Sequence, residues 1–162
     1  MANKRKKKNL RTPSKVPGNA LLATLRLHQR GQLARAEKAY KQILIHDVEN
    51  AIAHHLLGRL YYQTERSAAA ISSLQHALAV QPNYPDALMD LANMLHEAGQ
   101  FAQAENCLHQ LIQLRPDNAM AYNNLGVLYK DQQRFDEALT VYRRSIGLDA
   151  NDTAVLRNLA HA

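Results

Sequence analysis

The chain is poor in the residues that staple or break a fold: it has 1 cysteine, no tryptophan, 2 phenylalanines, 6 glycines and 5 prolines among 162 residues. A lone thiol, Cys107, excludes an internal disulfide framework and supplies no thiolate cluster for zinc. So little glycine and proline excludes a collagen-like or low-complexity chain. With few large aromatics, the core must be built from Leu, Ala, Ile and Val, which favours helices over a β-sandwich. Long apolar runs are also missing. The stretch 20–25 is already broken by Thr24, far short of the roughly 18 to 20 residues that a membrane-spanning helix needs. Residues 4–8 are basic but are followed by Asn9, Arg11, Thr12, Pro13, Ser14 and Lys15 rather than by an apolar segment, which is not a secretion signal. A cytoplasmic chain is expected.

Acid is absent from the segment 1–16, where Lys4, Arg5, Lys6, Lys7, Lys8, Arg11 and Lys15 sum to +7. The whole chain carries +6, which leaves the remainder at −1. The high isoelectric point therefore describes the tail and not the body. Any contact with nucleic acid or anionic lipid rests on residues 1–16 alone, and a solvated, disordered leader is the expectation for them.

What the chain does have is a repeat. Ala36, Ala70, Ala104 and Ala138 recur at one fixed period, Pro82 and Pro116 are separated by that same period, and Gly31 and Gly99, like Gly58 and Gly126, are two periods apart. Cut at this period, the units run 17–50, 51–84, 85–118 and 119–152, with a fifth beginning at 153–162. The seventh, eighth and eleventh places read large, small, large: Leu57, Gly58, Tyr61, then Leu91, Ala92, Leu95, then Leu125, Gly126, Tyr129. These spacings put the large residues on one helical face and let a neighbouring backbone approach the small one. The second half of each unit repeats the pattern, as in Ala36/Tyr40/Ile43 and Ala138/Tyr142/Ser145. Each unit is thus two amphipathic helices joined by a polar turn. Prolines at the unit boundaries stop helices, and the Asn and Asp beside them are placed to cap the next.

The period, the small residues and the boundary prolines resemble those of the tetratricopeptide repeat family over about residues 17–162. The resemblance implies an all-α fold, an α-solenoid of antiparallel helix pairs with four full repeats plus the first helix of a fifth. A helix of roughly 12 residues is marginal alone in water, so stacking of units is what buries the core. Asp152 and Thr153 are expected to cap that fifth helix. The chain stops before its partner, so residues 1–162 are expected to be the amino-terminal piece of a longer polypeptide, or a shortened form of one.

No catalytic constellation is found: the phosphate-cradling, nucleophile-elbow, zinc-protease and dinucleotide motifs are all missing. No histidines share the spacing of a metal site, so no metal and no cofactor are expected, and the chain by itself is not an enzyme. The family resemblance implies a binding surface on the inner face, lined by the first helix of each unit. Carried over place by place, it selects Arg59 and Tyr62, then Met89, Asp90 and Asn93, then Asn123, Asn124, Val127 and Lys130, and Asn158. This face changes from apolar to amide-rich along its length, which suits an extended peptide. The expected function is a scaffold that binds a peptide or partner domain in the concave groove. Asp86 and Asp90 stand where members that clasp an acidic chaperone tail carry basic or amide residues. Asn124 and Asn158 fit the asparagine ladder of O-linked N-acetylglucosamine transferases, while Leu22, Leu56 and Asp90 do not. The opening unit is similar to the first repeat of bacterial proteins that precede glycosyltransferase or sulfotransferase domains. The alternative function is therefore the targeting module of such a transferase.

Overall fold

The computed structural model describes residues 19–149 together with 157 and 158. The basic tail and the cap at Asp152 and Thr153 lie outside these. Among the described residues there are eight α-helices and no strand. The first helices of the units are α1 (Ala20–Gln29), α3 (Ala51–Gln63), α5 (Pro85–Glu97) and α7 (Ala119–Asp131). The second helices are α2 (Leu33–His46), α4 (Ser67–Val80), α6 (Phe101–Leu114) and α8 (Phe135–Leu148). Each helix packs on its neighbours in sequence, and the first helices also touch one another, α1 on α3 and α5 on α7. This is the all-α solenoid that the repeat implied.

Local chemistry sets each turn. Asn50 Oδ1 accepts from Ala53 N at 2.9 Å and Asn118 Oδ1 accepts from Ala121 N at 3.1 Å, capping α3 and α7. The start of α5 departs from the expected pattern. Asn83 does not cap it; Tyr84 occupies the cap position without a side-chain bond, and Pro85 opens the helix. Proline has no N–H to satisfy and its fixed φ is already helical, so a polar cap has less to do there.

The first helix of every unit ends in the same way. The residue at φ of about +60 to +70° is Gly31 (72°), Glu65 (59°), Gly99 (72°) and Gln133 (61°). In each unit the next residue donates five residues back, from Gln32 to Leu27, Arg66 to Tyr61, Gln100 to Leu95 and Arg134 to Tyr129. This closure reverses the chain so that the second helix folds back antiparallel.

The signature alanines Ala36, Ala70, Ala104 and Ala138 are fully buried, and the core runs unbroken through all four units. Gly126 faces the ring of Tyr142, and Gly58 faces Leu74. At these places the small residue makes room for a large one on the partner helix.

Candidate functional site

Side chains on successive first helices are tied together at a constant offset, |i−j| = 35 in every pair that follows. Near the start of the helices, His55 Nε2 donates to Asp90 Oδ2 at 2.8 Å, Asn124 Nδ2 donates to Met89 Sδ at 3.3 Å, and Asn158 Nδ2 donates to Asn123 Oδ1 at 3.0 Å. Near their ends, His28 Nε2 meets Gln63 Oε1 at 3.0 Å, the Tyr62 hydroxyl donates to Glu97 at 2.7 Å, and His96 Nε2 donates to Asp131 Oδ2 at 2.8 Å. The offset is one more than the period because a side chain facing the next unit and one facing the previous unit must leave the helix at different angles, and successive residues are turned by about 100°. Two polar ladders therefore run across the first helices.

His55 lies beneath this surface rather than on it. It is buried, with Nδ1 against the Tyr84 hydroxyl at 2.9 Å and Nε2 on Asp90. Burial in turn pushes the Tyr84 phenol up from its ordinary value. Asp90 is thereby held from behind, while Arg59 approaches it from the open side, Nε to Oδ2 at 3.7 Å.

Four of the residues singled out from the sequence, Arg59, Tyr62, Asp90 and Asn93, line one groove of about 470 Å³ between α3 and α5. The same groove is bordered by His28, Gln63, Met94, His96 and Glu97. Asn93, Asn124 and Val127 meet again in an adjoining cleft of about 80 Å³ between α5 and α7. There Asn124 Nδ2 donates to Asn93 Oδ1 at 2.8 Å. Met89 joins this cluster through its sulfur, Asn123 joins Asn158, and Lys130 stands half-buried in the last turn of α7.

Gln63, Met94 and Glu97 were not legible as groove residues. The signal for two of them lies in the pairing of a twelfth place with the thirteenth of the next unit, His28 with Gln63 and Tyr62 with Glu97. Each pair joins partners able to hydrogen-bond across one period plus one.

Elsewhere the chemistry is quiet. Burial pushes the Cys107 thiol up to about 11, which leaves it protonated and unreactive at neutral pH. Among the described residues no group of three or more His, Cys, Asp or Glu is placed to hold a metal, and no helix is long and apolar enough to cross a membrane.

The model of the family described as Cytochrome c-type biogenesis protein H TPR domain matches residues 26–155. The chain belongs to that tetratricopeptide repeat (TPR) family. Human Protein O-mannosyl-transferase TMTC1 is 29% identical over 134 residues, 80% of this chain and 14% of that protein. Cellulose synthase operon protein C of Pseudomonas fluorescens is 32% identical over 129 residues, 78% of this chain and 10% of that protein. The TPR chain thus spans only a small part of these relatives. Among solved structures, MamA (residue 41 to the end) from Desulfovibrio magneticus RS-1 superposes with a TM-score of 0.82 at 19% identity, covering 91% of this chain and 85% of that one. YrrB, described as a TPR protein with an unusual peptide-binding site, superposes with a TM-score of 0.78 at 20% identity, covering 85% and 71%. At these identities the likeness is one of fold.

Proposed function

We propose that this TPR chain is a protein-interaction scaffold, without catalytic activity of its own, that holds an extended peptide along the inner face of α5, α7 and the helical turn carrying Asn158. The observation that supports it is the pairing of the inner amides. Asn124 and Asn93 spend one N–H and one carbonyl on each other. Asn93 Nδ2 and Asn124 Oδ1 remain for a ligand, one donor and one acceptor side by side, which is what a peptide bond presents in complement. Val127 and Met89 lie beside them for apolar side chains. YrrB, a protein of the same fold, carries a peptide-binding site by its own description. A cytoplasmic setting is part of the same proposal, since a single buried thiol suits a reducing compartment.

The test is titration of a peptide selected on an array against wild type and the Asn93→Ala, Asn124→Ala double variant. Each lost neutral hydrogen bond removes about 0.5 to 1.5 kcal/mol, so the double variant is expected to bind roughly tenfold more weakly with unchanged helicity and melting. Equal affinities would move the site to the apolar patch at Leu21, Leu22 and Leu25.

A second reading is favoured by the relatives. TMTC1 and the barley protein SPINDLY are named as transferases, and the matching segment is 14% and 11% of their lengths. On that reading the same groove is the targeting module of a larger transferase. Genomic sequence beyond the codon for Ala162 separates the two: an open frame into a catalytic domain supports the second, an immediate stop the first.

A further inference from the structure

We infer that the groove between α3 and α5 is a side-chain subsite of the bound peptide, and that it takes a basic residue, lysine or arginine. The inference rests on the peptide-groove reading above and adds the chemistry of the residue that is read. Three independent features of the groove favour a cation.

The first is where the groove sits. His28, Tyr62 with Gln63, and His96 with Glu97 come from the last turns of α1, α3 and α5, so three parallel helices end at its border. A helix carboxyl terminus carries a partial negative charge of about half a unit. Three of them side by side attract a positive group and repel a negative one.

The second is the balance of full charges. α5 carries Asp86, Asp90 and Glu97 and has no Lys or Arg. Within the groove the two carboxylates Asp90 and Glu97 face a single guanidinium, Arg59. Arg59 does not close the account. Its side chain is 58% exposed and it reaches Asp90 only through Nε at 3.7 Å, so it can swing out and leave the carboxylate to a ligand. Asp90 lines the groove, and its Oδ2 is fixed by His55 while no hydrogen bond takes Oδ1. Glu97 accepts a single proton from the Tyr62 hydroxyl, shared between its two oxygens at 2.7 and 2.9 Å. Most of its capacity as an acceptor is unspent.

The third is an aromatic wall. Tyr62 is 42% exposed, and its hydroxyl is held by Glu97, so the ring is oriented rather than free. Ring face and carboxylate together form the pair of surfaces that an ammonium or guanidinium prefers. Elsewhere in this molecule the same combination already holds cations. Arg66 lies 4.4 Å from the centre of the Tyr61 ring while bonded to Glu37, and Arg134 lies 4.1 Å from the centre of the Tyr129 ring while bonded to Glu105. The groove repeats that arrangement with the cation's place left to the ligand. Its volume of about 470 Å³ admits a long basic side chain with part of the backbone that carries it.

The experiment uses the full chain and an array of peptides in which one central position is fixed and the flanking positions are drawn from uncharged residues. The best sequence is then titrated with lysine, norleucine or glutamate at the fixed position. Lysine is expected to bind about fivefold tighter than norleucine, and the ratio is expected to fall towards one at 0.5 M salt, where the Debye length is only about 4 to 5 Å. In the Asp90→Asn, Glu97→Gln double variant the ratio is expected to vanish. Both substitutions keep an acceptor for His55 and for Tyr62, and unchanged circular dichroism and melting temperature establish that the variant is folded. Arg59→Gln, which removes the competing cation, is expected to raise the ratio. The inference is overturned by equal binding of lysine and norleucine peptides to wild type, by a lysine preference that the double variant retains, or by a glutamate preference that Arg59→Gln abolishes. If no peptide binds whatever its fixed residue, the groove reading itself fails and takes this one with it. Binding without charge discrimination defeats only the basic subsite.

Discussion

Gly58 and Gly126 stand at the same place of two units, yet a methyl group meets different surroundings at each. At Gly126 a Cβ would overlap the Tyr142 ring, 2.6 Å from Cδ1, and the ring is fully buried with nowhere to move. At Gly58 it would lie 3.0 Å from Leu74 Cγ and 3.2 Å from the Ala70 carbonyl oxygen, a tight fit but short of the overlap at Gly126. Gly126→Ala is therefore expected to cost about 1 to 3 kcal/mol. Gly58→Ala is expected to be nearly neutral, because the gain in helix propensity of up to about 1 kcal/mol offsets the crowding. Urea denaturation of the two variants checks this, and equal midpoints would show the packing argument to be wrong. The left-handed residues permit a prediction of opposite sign. Glu65 and Gln133 hold φ of 59° and 61° where two other units have glycine. Glu65→Gly and Gln133→Gly should each relieve part of the roughly 1 to 2 kcal/mol left-handed penalty, less what glycine costs through the unfolded chain, for a net gain of up to about 1 kcal/mol. A raised melting temperature for both is the expected result, and a fall in either would mean the native side chain contributes more than strain.

Between elements, the junctions of units one with two and three with four share a device that the middle junction lacks. Glu37 is bonded to Arg66, which covers Tyr61, and two periods further on Glu105 is bonded to Arg134, which covers Tyr129. At the middle junction the corresponding residues are Ile71 and Gln100. The hydrogen bonds from Arg66, and then from Lys41, hold the Glu37 carboxyl down from its ordinary 4.5 to about 2. A carboxyl whose value is lower in the folded state adds stability that is complete above its unfolded value and disappears as pH falls towards the folded one. Melting temperature should accordingly drop between pH 4.5 and about 2, and more steeply in wild type than in Glu37→Gln. Parallel pH profiles for the two proteins would remove Glu37 from the account. Arg134 likewise holds Glu105 below its ordinary value, so a shallower remnant of the drop is expected in the single variant.

At the scale of the molecule, every unit touches only its neighbours, so stability is a sum of units and interfaces rather than a property of one core. α1 has 10 residues where the other first helices have 13, and its Leu22 is more than half exposed. Among the described residues the first unit packs on one neighbouring unit where the second and third pack on two, so it should open more readily than those two. Native-state hydrogen exchange is expected to show slow amides in α3 to α6 and faster ones in α1 and α2. Uniform protection from α1 to α7 would mean that the array opens as one cooperative body. The groove between α3 and α5 lies within the part for which slow exchange is expected, and on that outcome a ligand there meets a preformed surface.

The helix pairs, their period and the burial of Ala36, Ala70, Ala104 and Ala138 could be read from the chain because they depend on helical spacings of three and four, and on one repeat period, along a single strand of text. Capping by Asn50 and Asn118 is equally local. The failure at Asn83 was local too, since the proline two places on already prepared the helix. The ladders could not be read this way. They depend on which faces of neighbouring first helices meet, and that meeting pairs residues one place beyond the repeat period, such as Tyr62 with Glu97 and His96 with Asp131. The packing of first helix on first helix buries His55 behind Asp90 and joins Asn93 to Asn124, so that residues of neighbouring helices become partners instead of separate side chains. Periodicity tells which way a residue points; how neighbouring helices are set against each other, decided by side-chain packing across the whole array, decides what it meets there.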